Sequence, residues 1–213
     1  MDTEEEISKS EFKKGRMEQA ARKKKLKMVF WIAAPILVIG LIIFGIVRYS
    51  SYRARNLPGV SYPAQGQEHV TLNASFDYNS NPPSSGPHYG QPANWGTYDY
   101  EVNDKIFIHN LEHGGIWITY RSSVSSKAIE DLKKIAEEFS GSKIVMAPRS
   151  ANDTDIAVAA WMRVLKFNLS GDTLSDTQKD EIKEFYRRLK NHGPEFVPET
   201  MPGVDPKEVQ GKE

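Results

Sequence analysis

The sequence predicts an α+β protein: a single N-terminal transmembrane helix followed by one extracytoplasmic domain with a mostly antiparallel sheet and two helices. Three observations predict it. Residues 28–47, MVFWIAAPILVIGLIIFGIV, contain no charged side chain. Further on, short runs rich in Ile, Val, Trp and Thr are separated by Gly- and Pro-rich turns, the pattern of strands. Two later segments carry apolar residues at helical spacing.

The apolar run has the length to cross a membrane, since about 20 residues at 1.5 Å each match a hydrocarbon core of roughly 30 Å. A cleaved signal peptide would have a shorter apolar region and a small-residue cleavage site, and Arg48-Tyr-Ser-Ser-Tyr-Arg53 offers none. Residues 1–27 hold nine Lys/Arg against six Asp/Glu, while Arg48, Arg53 and Arg55 follow the span. That bias predicts a cytoplasmic N-terminus, a retained signal anchor in the cell membrane, and an extracytoplasmic remainder. The expected organisation is a charged cytoplasmic tail at 1–27, the anchor at 28–47, a linker at 48–68, an α+β domain at 69–197 and a polar tail at 198–213.

Over the whole chain 28 basic residues balance 28 acidic ones, so no charge excess argues for a nucleic-acid partner. Cysteine is absent, which excludes disulfides, thiolate ligands and cysteine nucleophiles. A bound metal would have to be held by His, Met, carboxylate, tyrosine or backbone oxygen.

Within the domain, Val70–Phe76 reads as a short strand. Residues 79–96, NSNPPSSGPHYGQPANWG, follow as an irregular stretch whose aromatics favour an ordered loop. Lys105–His109 and Gly115–Tyr120 read as strands joined by an HNLEHG turn. Ser126–Phe139 has the spacing of an amphipathic helix, and Lys143–Ala147 reads as a strand. Ile156–Phe167 reads as a strand from its β-branched content. Ser175 and Gln178 have capping-box spacing and open a second helix carrying Ile182, Phe185, Tyr186 and Leu189 on one face.

His109-Asn-Leu-Glu-His113 fits the H-x-x-E-H pattern of inverted zincin peptidases. That chemistry needs both histidines on one helix face, with the Glu acting on a metal-bound water. The β-prone flank Ile106-Phe-Ile108 and the Gly114-Gly115 pair argue against a helix, so the pattern reads as an accident of spacing. His88, His109 and His113 nevertheless fall in the two segments richest in turn formers, with His69 at the domain's entrance. These four are the candidate metal ligands. Imidazoles without thiolate suit copper or zinc, copper first in a cysteine-free exterior domain. Met146 is a soft axial candidate, with an ordinary core methionine as the commoner reading. Tyr89 and Glu112 are a candidate hydrogen-bonding pair. Structural histidines pinning the loop to the sheet are the alternative.

Asn81-Pro-Pro-Ser-Ser-Gly-Pro-His-Tyr89, Gly96-Thr-Tyr98, His109-Asn-Leu-Glu-His-Gly-Gly115 and Ala159-Ala-Trp161 together resemble the bacterial family called domain of unknown function 3105. The resemblance covers roughly residues 66–197. It implies a bacterial protein with one N-terminal span, and it implies no enzymatic reaction. The functional expectation is a membrane-anchored, His-lined metal site serving metal handling or assembly of an envelope complex. Two alternatives stand beside it. One is a metal-free scaffold for an envelope protein partner, with no cofactor. The other is a metal-dependent hydrolase, in which Glu112 would be catalytic.

Overall fold

A computed structural model describes residues 2–55 and 57–211, in two units, Met1–Asn56 and Leu57–Glu213. The first is a single helix, α1 (Asp2–Arg55), which takes in the expected tail as well as the apolar run, with Pro35 inside it. Its stretch Arg22–Ser51 is long and apolar enough to cross a membrane, with a mean hydropathy of 2.7 in its most apolar window.

The second unit is built on six strands: β1 (Val60–Ser61), β2 (Gly96–Thr97), β3 (Ile116–Tyr120), β4 (Ile144–Pro148), β5 (Ile156–Ala160) and β6 (Arg163–Phe167). Their order is β1-β6-β5-β3-β4-β2. The sheet is mixed rather than mostly antiparallel. β5 runs antiparallel to β3 and β6, and β1 antiparallel to β6, but β4 lies parallel to both β3 and β2. The cause is the helix α3 (Ser126–Glu138) between β3 and β4. A strand followed by a helix and another strand is a crossover connection, and a crossover is what parallel pairing requires.

Residues 156–167, expected as one strand, form the hairpin of β5 and β6, turning at Met162 with φ of 62°. Val70–Phe76, expected as a strand, joins no named strand. Instead His69 forms an isolated parallel bridge with His88. The second unit carries four helices where two were expected. α3 and α4 (Asp176–Leu189) are the two foreseen, α4 with both halves of its Ser175/Gln178 capping box in place. The others are α2 (Asp104–Glu112), expected as strand and turn, and α5 (Pro206–Gln210), inside the expected tail.

All five residues of β3 and of β5 are buried, and their alternation divides the core in two. On one face Ile116, Ile118, Ile144, Met146 and Val158 pack with Leu132 and Ile135 of α3 and Ile182 and Phe185 of α4. On the other, Trp117, Val145, Ala157 and Ala159 pack with Ile106, Phe107 and Leu111 of α2. The small residues of β5 leave the room that α2 needs against the sheet. A helix buried on this side, beneath the 79–96 loop, is what positions the site.

Candidate metal centre

The nine residues of α2 are helical despite their β-prone composition because both ends are capped and the helix is enclosed. Asn103 caps the start, its side chain accepting from the Lys105 N–H, and Asp104 lies in the first turn, where a negative charge is favoured. Ile106 through Glu112 are all buried, so tertiary packing outweighs intrinsic propensity. At the far end His113 is the C-cap. Gly114, at φ of 74°, donates to Leu111 O at 2.9 Å, and Gly115 donates to Asn110 O at 2.8 Å. This is the Schellman closure, with glycine in the left-handed position. The glycine pair stops a helix here; it does not argue against one.

His109 and His113 therefore lie one turn apart on a single helix, as H-x-x-E-H chemistry requires, and the turn expected at HNLEHG is corrected to helix. Their Nε2 atoms are 3.1 Å apart. The 79–96 loop supplies His88, whose Nε2 lies 2.9 Å from Glu112 Oε2. His69 stacks against His109 with ring centres 5.1 Å apart. Residues 66–70 run beside 86–89, held by Val70 N–H to His88 O at 2.8 Å and His88 N–H to Glu68 O at 2.9 Å.

The four candidate histidines thus converge. Donor atoms of His69, His88, His109 and Glu112 all lie within 4.8 Å of one another, and so do those of Glu112, His113 and Glu195. His88, His109, Glu112 and His113 are at most 5 % exposed, while His69 and Glu195 face solvent. His192, the fifth histidine, is exposed and lies outside the cluster, its Nδ1 3.0 Å from Lys190 O. Met146 packs on the α3/α4 face of the sheet and is no part of the site.

Hydrogen-bond roles inside the cluster follow from two carbonyls. His88 Nδ1 lies 2.8 Å from Gly86 O, and His109 Nδ1 lies 2.8 Å from Tyr89 O. A carbonyl can only accept, so each Nδ1 carries the proton and each neutral Nε2 presents a bare lone pair. The two lone pairs point at Glu112 Oε2 and His113 Nε2. His113 Nε2 also lies 3.3 Å from Glu195 Oε2, and it has one proton at most to share between two acceptors. The protons left inside the cluster are that of His113 and that of Glu112 in its acid form, and the Gln67 side chain also bonds Glu112. Tyr89 takes part through its carbonyl, not through the expected pairing with Glu112.

Electrostatics point the same way. Burial holds His109 down to about 4, with its Tyr89 bond opposing, and holds His113 down to about 4, helped by His109. Burial also lowers His88. Burial, then the nearby Glu195, pushes Glu112 up to about 7. At neutral pH these three imidazoles are uncharged, the state in which they bind metals.

Several positioning residues escaped the sequence reading. Arg149, 6 % exposed, bonds Asp104 at 2.8 Å through two nitrogens and also reaches Asn81 Oδ1 and Asn152 Oδ1. It ties the start of α2 to the loop that carries His88. Lys143 Nζ donates to His113 O at 2.8 Å. Glu195 comes from beyond α4, anchored by its N–H to Glu112 O at 3.1 Å. No local signal marked Glu195, because its role depends on a contact across 83 positions of chain.

Residues 69–201 match the family described as protein of unknown function (DUF3105). The chain belongs to that family. The DUF3105 match begins at His69 and ends past Glu195, so every donor of the cluster lies inside it. β1 and α5 lie outside the DUF3105 stretch. Neither a curated protein nor a solved structure matches the chain.

Proposed function

We propose that this chain is a bacterial single-pass membrane protein that binds a transition metal outside the cytoplasm. His69, His88, His109 and His113 are its imidazole ligands, and Glu112 joins them. One observation carries the reading: His88 and His109 have their protons fixed outward on backbone carbonyls, and their Nε2 lone pairs converge on further acceptors. A carbonyl behind a ligating histidine is the usual means of orienting it toward a metal. Without a metal these contacts are filled by the Glu112 carboxyl proton toward His88 and the His113 proton toward His109, and a cation that takes the same lone pairs displaces those two protons.

The mix of imidazole and carboxylate, with no thioether, suits a divalent ion. Copper(II) stands ahead of zinc(II) in the general affinity order. The excess of basic residues before the apolar run supports a cytoplasmic N-terminus, with α1 as a retained anchor. Handling or sensing of the metal, or assembly of an envelope complex around it, is the role this arrangement serves.

Thermal unfolding of the chelator-stripped full-length protein in detergent tests the site. Zinc(II) or copper(II) at about 100 times its Kd should stabilise the protein by about 2.7 kcal/mol. The His88→Ala/His109→Ala protein should show no such shift. An equal shift in both proteins would refute the site.

A second reading has its own support. H-x-x-E-H stands on one helix, and Glu112 sits near 7, where a carboxylate can exchange protons with water. A metal-dependent hydrolase would show turnover that Glu112→Gln abolishes while metal stays bound.

A further inference from the structure

The six donors around α2 do not form one set. His69, His88 and His109 group with Glu112, and His113 and Glu195 group with the same Glu112. With bonds of roughly 2.0–2.2 Å, two donors facing each other across one ion are at most about 4.4 Å apart. Each group, with its donor atoms within 4.8 Å of one another, is close to the size of one coordination shell, and Glu112 stands where the two meet.

Glu195 is a built part of this arrangement. Its backbone N–H donates to the carbonyl of Glu112, and Asn191 N–H donates to Gly114 O at 2.8 Å. Gly193 packs so closely that a Cβ there would come within 2.1 Å of Glu112 O. The segment carrying Glu195 is therefore pinned to the end of α2. On the far side His113 is held through its carbonyl by Lys143 Nζ. His113 is 4 % exposed, and its Nε2 faces two acceptors, His109 Nε2 at 3.1 Å and Glu195 Oε2 at 3.3 Å. A second cation satisfies the contact between His113 and Glu195, and the first cation takes the lone pairs of His109 and His88.

We propose that the centre holds two metal ions bridged by the Glu112 carboxylate. His69, His88 and His109 complete one position, and His113 and Glu195 complete the other. The proposal rests on the metal-binding reading above. Carboxylate-bridged pairs sit roughly 3.5–4 Å apart, which lets His109 and His113 touch while serving different ions. Each position has one solvent-facing donor, His69 in the first and Glu195, whose side chain is 56 % exposed, in the second.

The test uses the full-length chain in detergent, without a polyhistidine tag, stripped by chelation and reloaded with zinc(II) or copper(II) alone. Metal per protein is measured after dialysis, and the copper form is examined by electron paramagnetic resonance. Wild type should retain two equivalents, with a copper spin count well below its copper content because neighbouring ions couple. Glu195→Gln, an exposed change that leaves the core intact, should retain one equivalent with one full spin per copper. His113→Ala should do the same. One equivalent in both wild type and Glu195→Gln would overturn the two-ion centre and leave the single metal site standing. Two equivalents in both Glu195→Gln and His113→Ala would overturn the assignment of the second position. No metal in wild type would remove the underlying reading and this proposal with it.

Discussion

His109 shows how one side chain is committed to a task. Its Nδ1 is spent on Tyr89 O, its ring is stacked on His69, and its Nε2 faces His113. Keeping such a group neutral has a consequence for the metal-free protein. Unfolded histidines take up protons near 6.5, whereas folded His109 and His113 stay neutral down to about 4. Between those values the unfolded state binds more protons, so stability falls as pH falls. Glu112 acts in the opposite direction, since its folded value of about 7 lies above its ordinary 4.5. Between 4.5 and 6.5 two histidines outweigh one carboxyl, and His88 adds to their side. Chelator-treated protein should therefore lose stability from pH 6.5 downward, and Glu112→Gln should steepen the loss. Denaturant titrations at pH 7.0, 6.0 and 5.0 measure both slopes. Of these residues the sequence marked the four histidines and Glu112 by their company of turn formers. It did not mark Glu195, whose neighbours Gly193, Pro194 and Phe196 read only as the end of a helix.

At the scale of elements, α2 decides the site, and α2 is where the local reading failed. Ile106-Phe-Ile108 has strand propensity, and the glycine pair looked like an obstacle. Asn103-Asp104 ahead of the run and Gly114 behind it are helix start and stop signals, and they bracket the segment correctly. The apolar residues fill more than one face of α2 because the helix is enclosed on several sides, which hides the helical period. The exposed-faced helices α3 and α4 kept theirs and were legible, as were β3 and β4. The parallel pairing of β3 with β4 was implicit in the strand–helix–strand order, but it needed the crossover rule to be seen. The close packing at the end of α2 gives a sharp prediction. Gly193→Ala would drive a methyl into Glu112 O and Gly114 N. Overpacking of this kind costs about 1–3 kcal/mol, and here it displaces the segment that carries Glu195. Urea unfolding should show that loss, and metal affinity should fall with it. An unchanged protein would mean the segment is not pinned.

At the scale of the whole molecule, one helix long and apolar enough to span a membrane precedes a unit with its own mixed sheet and two-sided core. On the proposed topology, drawn from the charge bias about the apolar run, the two ends lie on opposite sides of a membrane, and the absence of cysteine makes that easy to check. A membrane-impermeant maleimide applied to intact cells should label Lys127→Cys, at a side chain that is 71 % exposed. Ser8→Cys should be labelled only after the cells are permeabilised. The reverse pattern would invert the topology and put the histidine cluster in the cytoplasm.

The central claim is that the converging imidazoles hold a metal. The most direct measurement is the metal content, by mass spectrometry, of the untagged full-length protein purified from cells and again after incubation with copper(II) or zinc(II). At least one tightly held equivalent is expected, lost in His109→Ala/His113→Ala protein that remains folded. Wild-type protein that retains no copper or zinc under either loading would contradict it.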